Sequence, residues 1–145
     1  MRISRLRILA KTFPKVNPRL KVLKKLESGY HELDISFLSV NLADQMVFSA
    51  SNNGDIRIST GADIPQEENL CYRAAKKLSD FCSPDNQGVN ITLEKQIPVG
   101  GGLGGGSSNA ATTLICLNRL WNCKLSRKEL IEIGKEYGAD VPFFF

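Results

Sequence analysis

The sequence has a single histidine, His31, and its four cysteines, Cys71, Cys82, Cys116 and Cys123, include no C-x-x-C pair, so zinc-ligand spacing is absent. The thiols read instead as reduced and buried. No apolar run approaches the roughly 20 residues that a membrane-spanning helix needs. The start, MRISRLRILAKTFPKVN, has only the short apolar stretch Ile8 to Ala10 behind its basic lead. A cytoplasmic protein with no membrane partner is expected. The G-x-x-x-x-G-K-[ST] phosphate loop is missing, and so are internal repeats. Acidic residues are missing from the first 25 positions, where Arg2, Arg5, Arg7, Lys11, Lys15, Arg19, Lys21, Lys24 and Lys25 stand alone; beyond Glu27 the charges nearly balance. A nucleic-acid binder would spread a basic excess along a whole face. Lys21, Lys24 and Lys25 therefore read as solvated, and no nucleic-acid partner is expected.

With 145 residues, 42% of them hydrophobic and 23% charged, the chain suits one globular domain. Period-2 alternation predicts strands over Asp55 to Thr60 and Val89 to Ile97, the latter with Val89, Ile91, Leu93 and Ile97 on one face. Segments near Ile35 to Val40 and Gln45 to Ala50 are rich in strand formers, and the turn signature SNNGD at 51 to 55 predicts a hairpin within an antiparallel meander. Helical spacing runs from Asn69 to Cys82, with Leu70, Ala74, Leu78 and Phe81 on one stripe behind an Asn69 cap. A second helix is predicted from about Ser107 to Cys123, with Ala110, Leu114, Leu117 and Trp121 inward. Ser126 and Glu129 form a capping box, flanked by Leu125 and Leu130 as a hydrophobic staple, so a third helix should run to Tyr137 and end at Gly138. The order implies an α+β fold with helices collected on one face of a mixed, mostly antiparallel sheet. The last residues, Val141 to Phe145, resemble the start of a buried strand, so the chain reads as truncated at its C-terminus, with an apolar end prone to association.

The most informative segment is PVGGGLGGGSSN at 98 to 109, with six glycines in seven positions between a strand and a helix. Glycine lets consecutive N–H groups converge on an anion, and the helix start adds unpaired N–H donors and a positive dipole end. Polyphosphate is the matching guest. Ser107 and Ser108 can cap the helix, donate to a phosphate oxygen or ligate Mg²⁺. A flexible linker would not sit unbroken between a patterned strand and helix. A dinucleotide fingerprint is formally present at Gly100, Gly102 and Gly105, but Trp121 stands where the ribose-binding acid is required.

The loop closely resembles the ATP-phosphate motif of the GHMP kinases. The match extends over about residues 13 to 145 and includes Lys15-Val-Asn17, Ser28-Gly-Tyr-His-Glu32, the helix ending LNRLW, and Gly138-Ala-Asp-Val-Pro142. That combination resembles the branch of the family acting on a cytidine-diphosphate-headed alcohol of the non-mevalonate isoprenoid pathway. The resemblance implies an N-terminal ATP-binding domain with a ribosomal-protein-like fold over 13–145, preceded by an unassigned basic segment, 1–12. The family's C-terminal domain lies outside the chain, which alone should be inactive. It implies ATP and Mg²⁺, with Pro98, Val99, Gly100, Gly101, Gly102, Leu103, Gly104, Gly105, Gly106, Ser107 and Ser108 as the ATP cradle. Asp140 is implied as catalytic base and Lys15 as its cationic partner. Tyr30 and His31 are implied to recognise the cytidine, with Asn17 also touching substrate. Two alternatives are another kinase of the family, of mevalonate or homoserine type, and a non-catalytic nucleotide- or RNA-binding module.

Overall fold

The structure, a computed structural model, describes residues 6–82 and 88–145; Arg2 and Arg5 of the basic run lie outside them. Among the described residues, six strands and three α-helices follow the order β1 (Arg7–Thr12), β2 (Lys15–Lys25), β3 (His31–Ser39), β4 (Asp44–Ser51), β5 (Ile56–Thr60), α1 (Leu70–Cys82), β6 (Gly88–Glu94), α2 (Gly105–Leu120) and α3 (Arg127–Gly134). Four strands form one sheet in the order β1-β4-β6-β5, and β2 and β3 form a separate antiparallel ribbon. Alternation decides which face is buried. Met46 and Phe48 of β4 and Val89, Ile91 and Leu93 of β6 point into the core, while Asn90, Thr92 and Glu94 face outward. All three helices pack on that apolar side, where Ala74, Leu78, Ala110, Leu114, Leu117, Trp121, Leu130 and Ile133 complete one cluster.

The sheet is mixed, as expected, but its order corrects the hairpin. The turn at 51 to 55 does reverse the chain, yet β4 and β5 are not paired; β6 lies between them, antiparallel to β4 and parallel to β5. The parallel pair needs a crossover, and α1 supplies it. β6 also ends earlier than its periodicity suggests. It stops at Glu94, and Ile97 is buried separately where the chain turns toward the glycines. β1, from the segment left unassigned by the sequence, pairs antiparallel with β4 at the sheet edge.

α1 begins behind Asn69, whose Oδ1 accepts the Cys71 N–H at 2.9 Å. Its buried stripe is Cys71, Ala74, Ala75 and Leu78, so Phe81 falls outside it and is 58% exposed, correcting its reading as a core residue. α2 begins at Gly105, two residues before the predicted start, and Ala110, Leu114, Leu117 and Trp121 are buried as expected. α3 carries the predicted capping box: the Ser126 hydroxyl accepts the Glu129 N–H, and Glu129 accepts the Ser126 N–H at 2.8 Å. A 3-10 turn, Lys135–Tyr137, extends it to Gly138.

Two further expectations are corrected. Val141–Phe144 forms a 3-10 turn rather than a strand, because Pro142 at its start has no N–H to give a sheet ladder and fits a first helical turn. Val141 is buried and Phe143 stacks on Phe37 with ring centroids 4.7 Å apart. The cysteines are not all free. Cys82 at the end of α1 and Cys123 after α2 are joined in a disulfide, while Cys71 and Cys116 are buried thiols. Burial pushes both of those thiols up to about 11.

Candidate active site

The glycine loop and the helix it feeds make the floor of a cleft of about 410 Å³, which Asp140 also lines. The loop backbone takes positive φ at alternate glycines, Gly100 (77°), Gly102 (70°) and Gly104 (68°). Gly104 is the residue just outside α2, and its carbonyl accepts the Ser108 N–H at 2.9 Å. The N–H groups of Gly105, Gly106 and Ser107 precede that first helical bond and have no partner within the helix. Three convergent donors at the positive end of a 16-residue helix are suited to an anion.

Lys15 is brought to the loop by its own backbone. The chain leaves the main sheet at Thr12 and enters the ribbon at Lys15, whose N–H donates to the Leu103 carbonyl at 2.8 Å. The Lys15 side chain is only 7% exposed, and its Nζ lies 3.0 Å from Asp140 Oδ2 while also donating to Asn17 Oδ1. The Phe37 ring stands 5.7 Å from the same ammonium. Asp140 precedes the Val141–Phe144 turn and makes no capping bond to it, so its carboxylate is free for Lys15 and the cleft. Gly104 belongs to the same cluster: a Cβ there would lie 3.1 Å from both Lys15 Cε and Phe144 Cζ. Lys15, Asn17, Asp140 and the loop, distant in sequence, thus converge.

The two serines separate. Ser107 lines the cleft, whereas Ser108 is buried and does not. Tyr30 and His31 are not drawn into this cluster. They sit at the ribbon tip, where the Leu26 N–H donates to the Tyr30 carbonyl, and Tyr30 is 76% exposed. Among the described residues, no group of three or more His, Cys, Asp or Glu side chains stands close enough to hold a metal ion.

Sequence reasoning missed a second group on the cleft wall. Lys95 lines the cleft beside Thr60, Ala62, Asn69 and Leu70, and is held by Asp44 and Asn109. Burial pushes the Asp44 carboxyl up, but the Ile97 N–H, the Lys95 ammonium, the Gln96 N–H and Asn109 outweigh it and hold the group below its ordinary value. In sequence, Lys95 falls on the inward phase of the alternation, between Leu93 and Ile97, a charge at an apolar position that could have marked it, whereas nothing local marks Asp44.

The description "GHMP kinases N terminal domain" matches residues 69–145, more than half of the chain. The chain is 47% identical over 131 residues to the 4-diphosphocytidyl-2-C-methyl-D-erythritol kinase of Marinomonas sp., covering 90% of this chain and 43% of that protein. It is 44% identical over 138 residues to the same-named protein of Thermodesulfovibrio yellowstonii, covering 95% and 47%. A crystal structure of 4-(cytidine 5'-diphospho)-2C-methyl-D-erythritol kinase superposes with a TM-score of 0.82 at 39% identity, over 94% of this chain and 48% of that one. Homoserine kinase from Cytophaga hutchinsonii, at 19% identity and a TM-score of 0.68, shares the fold. This chain belongs to the GHMP kinase family and has the fold of its N-terminal domain. It spans less than half the length of the curated relatives it matches, and those named here are kinases of a cytidine-diphosphate-headed methylerythritol.

Proposed function

We propose that this chain supplies the ATP-binding and acid–base portion of a kinase that phosphorylates the 2-hydroxyl of 4-diphosphocytidyl-2-C-methyl-D-erythritol. The observation that carries the reading is the Lys15–Asp140 pair, 3.0 Å apart, beside the cleft that the glycine loop lines. Phosphoryl transfer asks for positioning and charge neutralisation more than covalent chemistry. The loop fits a polyphosphate through backbone N–H groups, and its left-handed glycines leave the approach clear of side chains. Mg²⁺ would be held with the help of the Ser107 hydroxyl, which lines the cleft, and would supply neutralisation of the phosphate charge. Asp140 orients the acceptor hydroxyl and takes its proton as the oxygen bonds to the γ-phosphorus of ATP and the bond from that phosphorus to the β,γ-bridging oxygen breaks, releasing ADP. Lys15 stabilises the negative charge that develops beside it. Asn17, hydrogen-bonded to Lys15, touches the acceptor. Tyr30 stacks on the cytosine and His31 hydrogen-bonds its edge. The ATP-binding domain, expected over 13–145, is extended to Arg7 so that it includes β1, its edge strand. No described helix is long and apolar enough to cross a membrane. The reaction is assigned to the cytoplasm, where reductants would keep the Cys82–Cys123 bond open for much of the time.

The test is a chimera in which residues 1–145 replace the matching segment of the Marinomonas relative. ATP-dependent phosphorylation is then measured with the cytidyl alcohol, homoserine and mevalonate. Transfer to the cytidyl alcohol alone is expected. Transfer to homoserine or mevalonate in preference would assign a different acceptor, and no transfer from a folded chimera would overturn the reading.

A further inference from the structure

Asp44 opens β4 and is fully buried, at 0% exposure. Its carboxylate takes four donors. Oδ1 accepts the backbone N–H groups of Gln96 (2.6 Å) and Ile97 (2.8 Å), where the chain leaves β6 for the glycine loop. Oδ2 accepts the Lys95 ammonium (2.6 Å) and Asn109 Nδ2 (3.0 Å), one turn into α2, where the loop has ended. Asn109 in turn donates to Thr12 Oγ1 at 2.6 Å and accepts Lys95 at 3.1 Å. Both feet of the loop therefore stand on one carboxylate. They also touch: a Cβ on Gly105 would lie 2.8 Å from Ile97 Cγ2 and 3.2 Å from Lys95 Nζ.

A buried carboxylate is tolerated when its acceptor sites are filled. Filling them could serve stability alone, but the choice of donors is selective. All four come from the two feet of the loop or from the lysine on the cleft wall. We propose that Asp44 is a positioning residue for nucleotide binding, which fixes the loop's feet and the Lys95 ammonium so that the loop N–H groups converge before a polyphosphate arrives. This rests on the reading of the loop as a phosphate cradle. Preorganised donors bind more tightly because their ordering cost is met during folding.

Asp44→Asn retains an acceptor for Gln96 and Ile97 but turns an amide toward Lys95 and Asn109, both donors. The partner change Asn109→Asp moves the charge across the contact. In the double variant the carboxylate introduced on α2 can accept from the new amide on β4, from Lys95 and from the Thr12 hydroxyl.

The experiment compares this chain, Asp44→Asn and Asp44→Asn/Asn109→Asp by ATP–Mg²⁺ titration and by amide exchange without nucleotide. Asp44→Asn should weaken ATP binding about tenfold or more and speed exchange at Ile97 and Ser108, with α3 unchanged. The double variant should recover affinity to within about threefold of the parent. ATP affinity unchanged in Asp44→Asn, or a double variant that folds yet binds no better, overturns the proposal. A uniform rise in exchange with affinity retained also overturns it, since that is what a purely structural role gives. If the parent binds no ATP, the cradle reading fails, and exchange at Ile97 and Ser108 still decides whether Asp44 fixes the loop. If Asp44→Asn does not fold, Asn109→Ala removes the α2 donor to Asp44, along with the Asn109 contacts to Thr12 and Lys95, and leaves Gln96, Ile97 and Lys95 on the carboxylate; affinity lowered about threefold or more supports the proposal, and unchanged affinity refutes it.

Discussion

At Gly104 the backbone is left-handed, with φ 68°, and the space where a side chain would go is taken by Lys15 and Phe144. Valine there would be strained by its branched Cβ and would push on the Lys15 stem, disturbing both the loop and its neighbouring cation. Gly104→Val should lower ATP affinity about tenfold or more with little change in helix content, read by titration and circular dichroism; unchanged affinity would argue against the loop as the cradle. At this scale the sequence was partly legible. Glycine spacing and the flanking motifs singled out the loop, Lys15, Asn17 and Asp140, and the structure brings these together. Lys95 stood on the inward phase of the β6 alternation, but its partners Asp44 and Asn109 were not legible, since the Asp44 contacts span 51 to 65 residues and no local pattern records a contact of that range. Tyr30 and His31 stand apart, at the tip of a ribbon whose reach toward a ligand no spacing rule encodes.

Among the elements, α3 shows how a short local signal suffices. Its eight residues bury Leu130 and Ile133, and the capping box at Ser126 satisfies donors that would otherwise be left at its start. Ser126→Ala should cost about 1 kcal/mol of stability, measured by urea unfolding, whereas Ser126→Asp should retain most of it. Equal stability for the alanine variant would show that packing alone sets the helix start. Signals of this kind depend on residues three or four apart, so they survive reading from sequence. Strand partnership does not. SNNGD marks a reversal, but the insertion of β6 between β4 and β5 depends on α1 carrying the chain back across the sheet. The VPFFF segment misled for a different reason: its composition suits a strand, whereas Pro142 and the tie of Val141 N–H to the Gly138 carbonyl hold it in a 3-10 turn. Phe81 fell on a stripe drawn through Leu70, Ala74 and Leu78, but the buried face is centred on Cys71, Ala74, Ala75 and Leu78, which leaves Phe81 at its margin.

For the whole molecule, the four-stranded sheet and its helices enclose the core, and the ribbon of β2 and β3 projects from it. One ribbon face pairs Leu20 with Ile35 and Val22 with Leu33; the other carries the Arg19–Asp34 ion pair at 2.8 Å. Lys21, Lys24 and Lys25 are exposed, and Lys24 pairs with Glu32 at 3.3 Å, which fits their reading as solvated side chains. Pro18 is accommodated at a break in register between Val16 and Arg19, where no ladder donor is required of it. The α+β class and the one-sided helices followed from hydrophobic periodicity, because periodicity reports which face of each element is buried. What draws the ribbon and the Phe143–Phe144 turn around Lys15 is tertiary: Phe37 of the ribbon stacks on Phe143 beside the cation. This arrangement supports the proposed role of Asp140 in the chemical step rather than in nucleotide binding. The most direct test is steady-state kinetics of Asp140→Asn in the chimera, since the change keeps the side-chain size and removes the charge. A kcat lowered about 100-fold or more, with KM for ATP within about twofold of the parent, is predicted. A kcat near that of the parent would contradict it.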